Sequence, residues 1–255
     1  MTGSARRRTG DSRYGGRVPL VAAAVCPHPP LLVPDVAGAA APELDDLRAA
    51  CDAAVGRLLA VGPDAVVLLG GGPATGRIDA PATGSLQPWG VDLDVPLTPA
   101  QPDRGAVLPL SLTIGAWLLA RHDVRVPVSA VQVAVDADPA ELASVGERLA
   151  AEGSRVALLA LGDGSACRGE KSPGYDDPRA HPYDQRVAAA LAGADLDVLL
   201  DLDPAVSAEL KAAGRASWQA LAGAARATGV DWRGALLHDA APYGVAYFVA
   251  SWEPV

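Results

Sequence analysis

The sequence predicts a single layered α/β/α domain built around a central, mostly parallel sheet. Two observations carry this reading. Short continuous apolar runs of strand length alternate with longer stretches of helical period, and unbroken rather than alternating apolar strands are those covered by helices on both faces. No repeat and no linker-like composition interrupts residues 18–255, so these residues read as one domain.

The elements follow in order. Val18–Val25 is an apolar run stopped by Pro27. Pro42–Val61 places Leu44, Leu47, Cys51, Val55, Leu58 and Leu59 at spacings of three and four, with Glu43, Asp45 and Asp46 in the first turn, where acids suit the helix dipole. Gly62-Pro63 ends that helix. Ala65–Leu69 is a second strand, followed by Gly70-Gly71-Gly72-Pro73, and residues 73–105 read as a long loop. Leu108–Arg121 is helical, Val126–Val135 a strand, Pro139–Glu152 a helix and Arg155–Leu161 a strand. A second polar loop occupies residues 164–182. Tyr183–Leu191, Pro204–Ala213 and Ala216–Thr228 are helices, with Val198–Leu200 a short apolar segment between the first two. Gly234–Leu237 and Val245–Trp252 close the chain as an antiparallel addition.

Composition narrows the classes. Half of the residues are hydrophobic, yet there is one Phe and one Met, so the core is filled by Ala, Val and Leu packed closely. Residues 1–17 carry five arginines against Asp11 and have no apolar period, which predicts a disordered basic tail. The total charge of −9 less that +4 puts −13 on residues 18–255. So acidic a domain is unsuited to nucleic acid or to an anionic membrane surface. Cys26, Cys51 and Cys167 form no C-x-x-C pair or disulfide framework, and no apolar run is long enough for a signal h-region or a membrane span. The expected location is the cytoplasm.

Ligands of such sheets bind at the carboxyl ends of the parallel strands. Four segments belong there: Cys26–Pro30, Gly70–Gly76, Gly162–Tyr183 and His238–Tyr243. They hold three of the four histidines, His28, His181 and His238. His28 is a proton carrier or metal ligand, or else a rigid turn residue between prolines. Asp163 is a site carboxylate or a turn cap. Ser165 lacks the G-x-S-x-G elbow, Cys167 has no base placed beside it, and the glycines after Leu69 match neither phosphate-loop pattern.

Together these segments resemble a known family. Pro27-His28-Pro29-Pro30-Leu31-Leu32-Val33-Pro34 after the first strand is similar to the opening of the class III extradiol ring-cleavage dioxygenases, which include the protocatechuate 4,5-dioxygenase beta subunit and the Memo-like proteins. Gly162-Asp163-Gly164-Ser165, with Gly174-Tyr175-Asp176-Asp177-Pro178 after it, resembles that family's Gly-Asp-Leu-Ser-His loop and the segment that follows it. Ala241-Pro242-Tyr243-Gly244-Val245 resembles its C-terminal strand. The resemblance, nearest to the family's actinobacterial branch, implies a non-haem Fe(II) held by two histidines and a glutamate, a further acid/base histidine, and a small aromatic substrate. It also implies a homodimer as one arrangement.

Carried over residue by residue, the resemblance makes His28 an iron ligand and Asp163, Tyr175 and Tyr243 catalytic-loop residues. Asp239, with His238 beside it, falls next to the glutamate position, which is Ala240. The second iron histidine falls at Gly70–Gly72 and the acid/base histidine at Ala166. Two expectations follow: an extradiol-type oxidoreductase with a rearranged Fe(II) site, or a relative that keeps the fold and pocket, holds no iron, and binds or acts differently. Regular strand geometry sets His238 and Asp239 on opposite faces unless the chain bulges between them.

Overall fold

The computed structural model describes residues 20–79, 81–98, 105–152 and 155–255. The basic segment 1–17 lies outside the described residues. In chain order the elements are β1 (Leu20–Cys26), α1 (Pro34–Ala37), α2 (Asp45–Ala60), β2 (Ala65–Gly72), β3 (Gly76–Ile78), β4 (Ala82–Ser85), β5 (Asp94–Pro96) and β6 (Ala106–Val107). There follow α3 (Leu110–Ala120), β7 (Val128–Ala134), α4 (Pro139–Ala150), β8 (Val156–Leu161), α5 (Ala180–Gly193), α6 (Leu196–Leu200), α7 (Pro204–Glu209), α8 (Arg215–Ala227), β9 (Trp232–Ala240) and β10 (Tyr247–Pro254).

Seven strands form one mixed sheet in the order β3-β7-β2-β8-β1-β10-β9. Its centre, β7-β2-β8-β1, is parallel. β10 runs antiparallel to β1 and β9 antiparallel to β10, and β3 closes the other edge antiparallel to β7. The fold is thus the predicted α/β class. Successive β1 residues point to opposite faces, as the pleat requires. Ala23 and Val25 join the core under α4, α5, α6 and α8, while Ala22, Ala24 and Cys26 join the one under α2 and α3.

Small side chains let the layers approach closely. A Cβ added at Gly146 in α4 would lie 2.2 Å from the Ala220 carbonyl oxygen of α8, and one at Gly223 would lie 2.8 Å from Ala143 Cα. Two aromatics pack in the core on this same face. Trp218 and Phe248 are fully buried, with ring centroids 6.1 Å apart at 59°.

Three local readings change. The second strand continues through Gly70–Gly72, which pair with Gln132–Ala134 of β7. Glycine carries no side-chain signal, so the strand's end is invisible to apolar periodicity. The expected loop of residues 73–105 contains β3, β4 and β5, and β4 pairs with β5 and β6 in a separate three-stranded sheet. The helix expected from Pro42 starts at Asp45, after a 3-10 segment Gly38–Leu44 that holds Glu43 outside it.

Candidate functional site at the carboxyl ends of β1 and β8

β1 and β8 are adjacent and parallel, but their chains leave to opposite faces. β1 leads to α2 on one side and β8 to α5 on the other. Ligands of doubly wound sheets bind where neighbouring strands diverge in this way. The ladder runs past the strand ends: the Gly162 N–H donates to the Cys26 carbonyl at 2.9 Å. One step further a side chain replaces the backbone acceptor, and the His28 N–H donates to Asp163 Oδ1 at 2.8 Å. Pro27 and Pro29 on either side of His28 fix the turn that presents this N–H.

The two side chains are nearly enclosed, His28 at 11% and Asp163 at 14% exposure. His28 Nδ1 lies 3.7 Å from Asp163 Oδ1, beyond hydrogen-bond reach, and it is buried with no partner among the described residues. Burial pushes the Asp163 carboxyl above its ordinary range, opposed by the His28 charge and the His28 N–H. Tyr247, at the start of β10, lies close enough to feel Asp163, and burial with that neighbour pushes its phenol well above the usual value. The pair therefore sits in a dry corner, with a buried imidazole nitrogen that has no partner among the described residues.

The shift has a consequence for stability. The folded carboxyl of Asp163 binds its proton more tightly than the unfolded one. The stabilisation this gives is complete below about pH 4, the ordinary carboxylate range, and is lost as pH rises through the folded value. Asp163→Asn keeps an acceptor for the His28 N–H and removes that loss. In chemical denaturation at a series of pH values, the variant's stability relative to the parent chain should therefore rise from pH 4 to 7. A flat difference would show that Asp163 is not desolvated.

The loop after Asp163 is held by a buried carboxylate. Asp184 of α5 accepts from the Ser165 N–H at 2.8 Å and from its hydroxyl at 2.6 Å, with Arg168 Nη1 at 3.8 Å. Ser165 is thereby a structural hydroxyl, paired to a carboxylate. Cys167 is equally buried, its thiol directed at the Leu210 and Gly174 carbonyls, and burial raises its pKa. Backbone bonds then zip the loop to the β9–β10 turn: Gly164 N–H to the Ala246 carbonyl, Ala246 N–H to Ser165, and Arg168 N–H to Gly244.

Other expected site residues have their own surroundings. Tyr175 takes a left-handed backbone at φ 62° and turns its side chain outward, 77% exposed. Tyr243, also left-handed at φ 57°, gives its hydroxyl to Glu43 Oε2 at 2.5 Å. His181 is exposed and meets Gln185 on its own helix.

His238 and Asp239 follow one another on β9. A bulge does interrupt β9, but it falls at Leu237. His238 pairs with Val249 and Asp239 with Phe248, residues of opposite faces. Burial lowers the His238 pKa, opposed by the neighbouring Asp239 and Asp46 carboxylates, and Asp239 adds a smaller upward push to the Asp184 carboxyl, which burial already raises.

The residues present do not fit a facial triad. Among the described residues no three His, Cys, Asp or Glu side chains gather at one point. Where the resemblance places a second histidine, a Cβ added at Gly70 would lie 2.5 Å from Ser111 Oγ and 3.1 Å from a Leu112 methyl. Ser111 is itself fixed by donating to the Gly71 carbonyl at 2.6 Å. At Gly72 the added Cβ would lie 2.6 Å from the Gln132 side-chain oxygen. The end of β2 is packed against its neighbours and carries no ligand.

No protein-family model and no curated protein matches the chain. Among solved structures, an uncharacterized protein, JW3007, from Escherichia coli K12 superposes with a TM-score of 0.56 at 16% identity, over 91% of this chain and 99% of that one. The two share a fold. No helix of the described residues is long and apolar enough to cross a membrane.

Proposed function

We propose that this protein is an extradiol-dioxygenase-like chain that has kept the fold and the carboxyl-end crevice but uses them without the three-ligand iron. In this reading it binds a small phenolic or enolic ligand through His28. One observation carries the reading: His28 Nδ1, buried beside Asp163, is left without a partner among the described residues. A buried polar nitrogen costs about 1–3 kcal/mol when unpaired, so it is best explained by a ligand that supplies the missing hydrogen bond. An acidic hydroxyl suits it. His28 accepts the hydroxyl proton, and Asp163 stabilises the imidazolium that results. The small aromatic character of the ligand rests on the resemblance in the motifs around His28, Asp163 and Tyr243.

The same orphaned nitrogen favours a second reading, an Fe(II) enzyme with a rearranged ligand set, because a metal would also occupy it. One experiment separates them. The purified chain and His28→Ala are assayed for iron by mass spectrometry, reconstituted anaerobically with Fe(II), and then mixed with catechol in air. The proposal expects iron far below one per chain in both proteins, no yellow ring-cleavage product, and calorimetrically detected catechol binding lost in His28→Ala. Stoichiometric iron lost in the variant, with ring cleavage by the parent chain, would establish the iron enzyme instead.

A further inference from the structure

Ten residues leave the fold next to this crevice. Leu32 and Val33 are fully buried, Leu44 is buried, and none of residues 34–43 between them is buried. The excursion turns at Gly38, whose backbone (φ 55°, ψ −123°) is one that only glycine adopts readily. From within its own part of the chain it is held by Arg48, which donates to the Leu32 and Ala41 carbonyls and to Asp45. The other two segments at this end of the sheet, 163–168 and 243–246, are zipped together by backbone bonds. The chain from Pro27 to Leu44 shares only two hydrogen bonds with them among the described residues. One is the His28 N–H to Asp163, the other the Tyr243 hydroxyl to Glu43, between residues 200 positions apart.

The second bond ties the excursion to the turn before β10. Continued past Val25–Ala250, the β1–β10 register sets Tyr247 alongside His28, and Tyr247 feels both Asp163 and Tyr243. Tyr243 reaches Glu43 from a turn in which it holds a left-handed backbone, a strain of about 1 kcal/mol for a non-glycine residue. Gly244 beside it, at φ 76°, packs so closely on Ser172 that an added Cβ would lie 2.4 Å from the serine Cβ. The turn is thus pinned to the 163–168 side and extends one side chain toward the exposed excursion.

We propose that residues 34–43 are a flap over the His28 end of the crevice, and that the Tyr243–Glu43 hydrogen bond is the latch that holds it closed. The proposal rests on reading that crevice as the ligand site and adds how access to it is controlled. Opening breaks the solvent-facing latch and lifts the partly buried Val36 from the core edge, with Arg48 on the Ala41 carbonyl as the anchor at the base; no fully buried residue of the segment is exposed, which suits a low-stability local unit.

The test reads access to His28 directly, with diethyl pyrocarbonate as the probe. The rate of His28 modification is followed by peptide-resolved mass spectrometry in the parent chain, Tyr243→Phe, Glu43→Ala and the double variant, with exposed His181 as the internal control. Each single variant should modify His28 about tenfold faster, the change expected for losing one charge-assisted hydrogen bond. The double variant should match the singles, because both remove the same bond. His181 and the thermal midpoint should stay unchanged. A rise of less than about threefold in either single variant, or effects that multiply in the double, would overturn the latch. Catechol binding plays no part in this readout, so a failed latch and a failed ligand site are separate results.

Discussion

Trp218→Ala should destabilise the protein by about 4 kcal/mol in chemical denaturation, near the top of the range for a single core substitution. The indole is wholly buried against Phe248 and fills the space beneath the end of β8. The backbone there has closed onto it. A Cβ added at Gly214 would lie 2.1 Å from Trp218 Cζ2, and one at Gly162 would lie 2.9 Å from Trp218 Nε1. Removing the ring leaves a cavity bounded by two glycines that cannot fill it. It also frees the Gly162–Asp163 peptide, so the His28–Asp163 contact should loosen with the core. Trp218→Phe isolates the packing contribution. Trp218 Nε1 is buried without a hydrogen-bond partner among the described residues, so phenylalanine removes an unpaired donor while keeping a ring against Phe248. That variant should lose only about 1 kcal/mol. Equal losses in the two variants would mean that the ring does not fill this space.

Much of the fold is legible because the chain writes buried strands plainly. Leu20–Cys26 and Val156–Leu161 are apolar throughout, and both are buried along their whole length in the structure. Legibility stops where the side-chain signal stops. The last three residues of β2 are glycines, and β4 is Ala-Thr-Gly-Ser, with no apolar period to mark it. The site was legible in half. His28 stands out as a lone histidine in a proline turn after a strand, but the Asp163 partnership spans 135 residues and has no local mark. Without the fold, Asp163 reads equally as a turn cap. Glu43 shows the same limit from the other side: near a helix start it reads as a dipole partner, whereas its hydrogen bond is to Tyr243 across the sheet. For His238–Asp239 the sequence left open whether the strand bulges between them, and the bulge sits one residue early, at Leu237.

The second large effect concerns function. If the crevice works through His28, His28→Ala should abolish binding of a small phenol, a loss of at least about a hundredfold. In that reading the imidazole would accept the hydroxyl's hydrogen bond, and its charged form would have Asp163 beside it. Asp163→Asn should weaken binding less, by about tenfold, since the ring remains and only the support for its cation is lost.

The most direct measurement is nitrogen NMR of the histidine rings during a titration with catechol. His28, His122, His181 and His238 give four ring signals to follow, assigned by substitution. The account predicts that the His28 nitrogens shift in a saturable way and move toward the imidazolium pattern, while the other three rings stay in place. Catechol that binds with no change at His28, or that moves His238 instead, would contradict it.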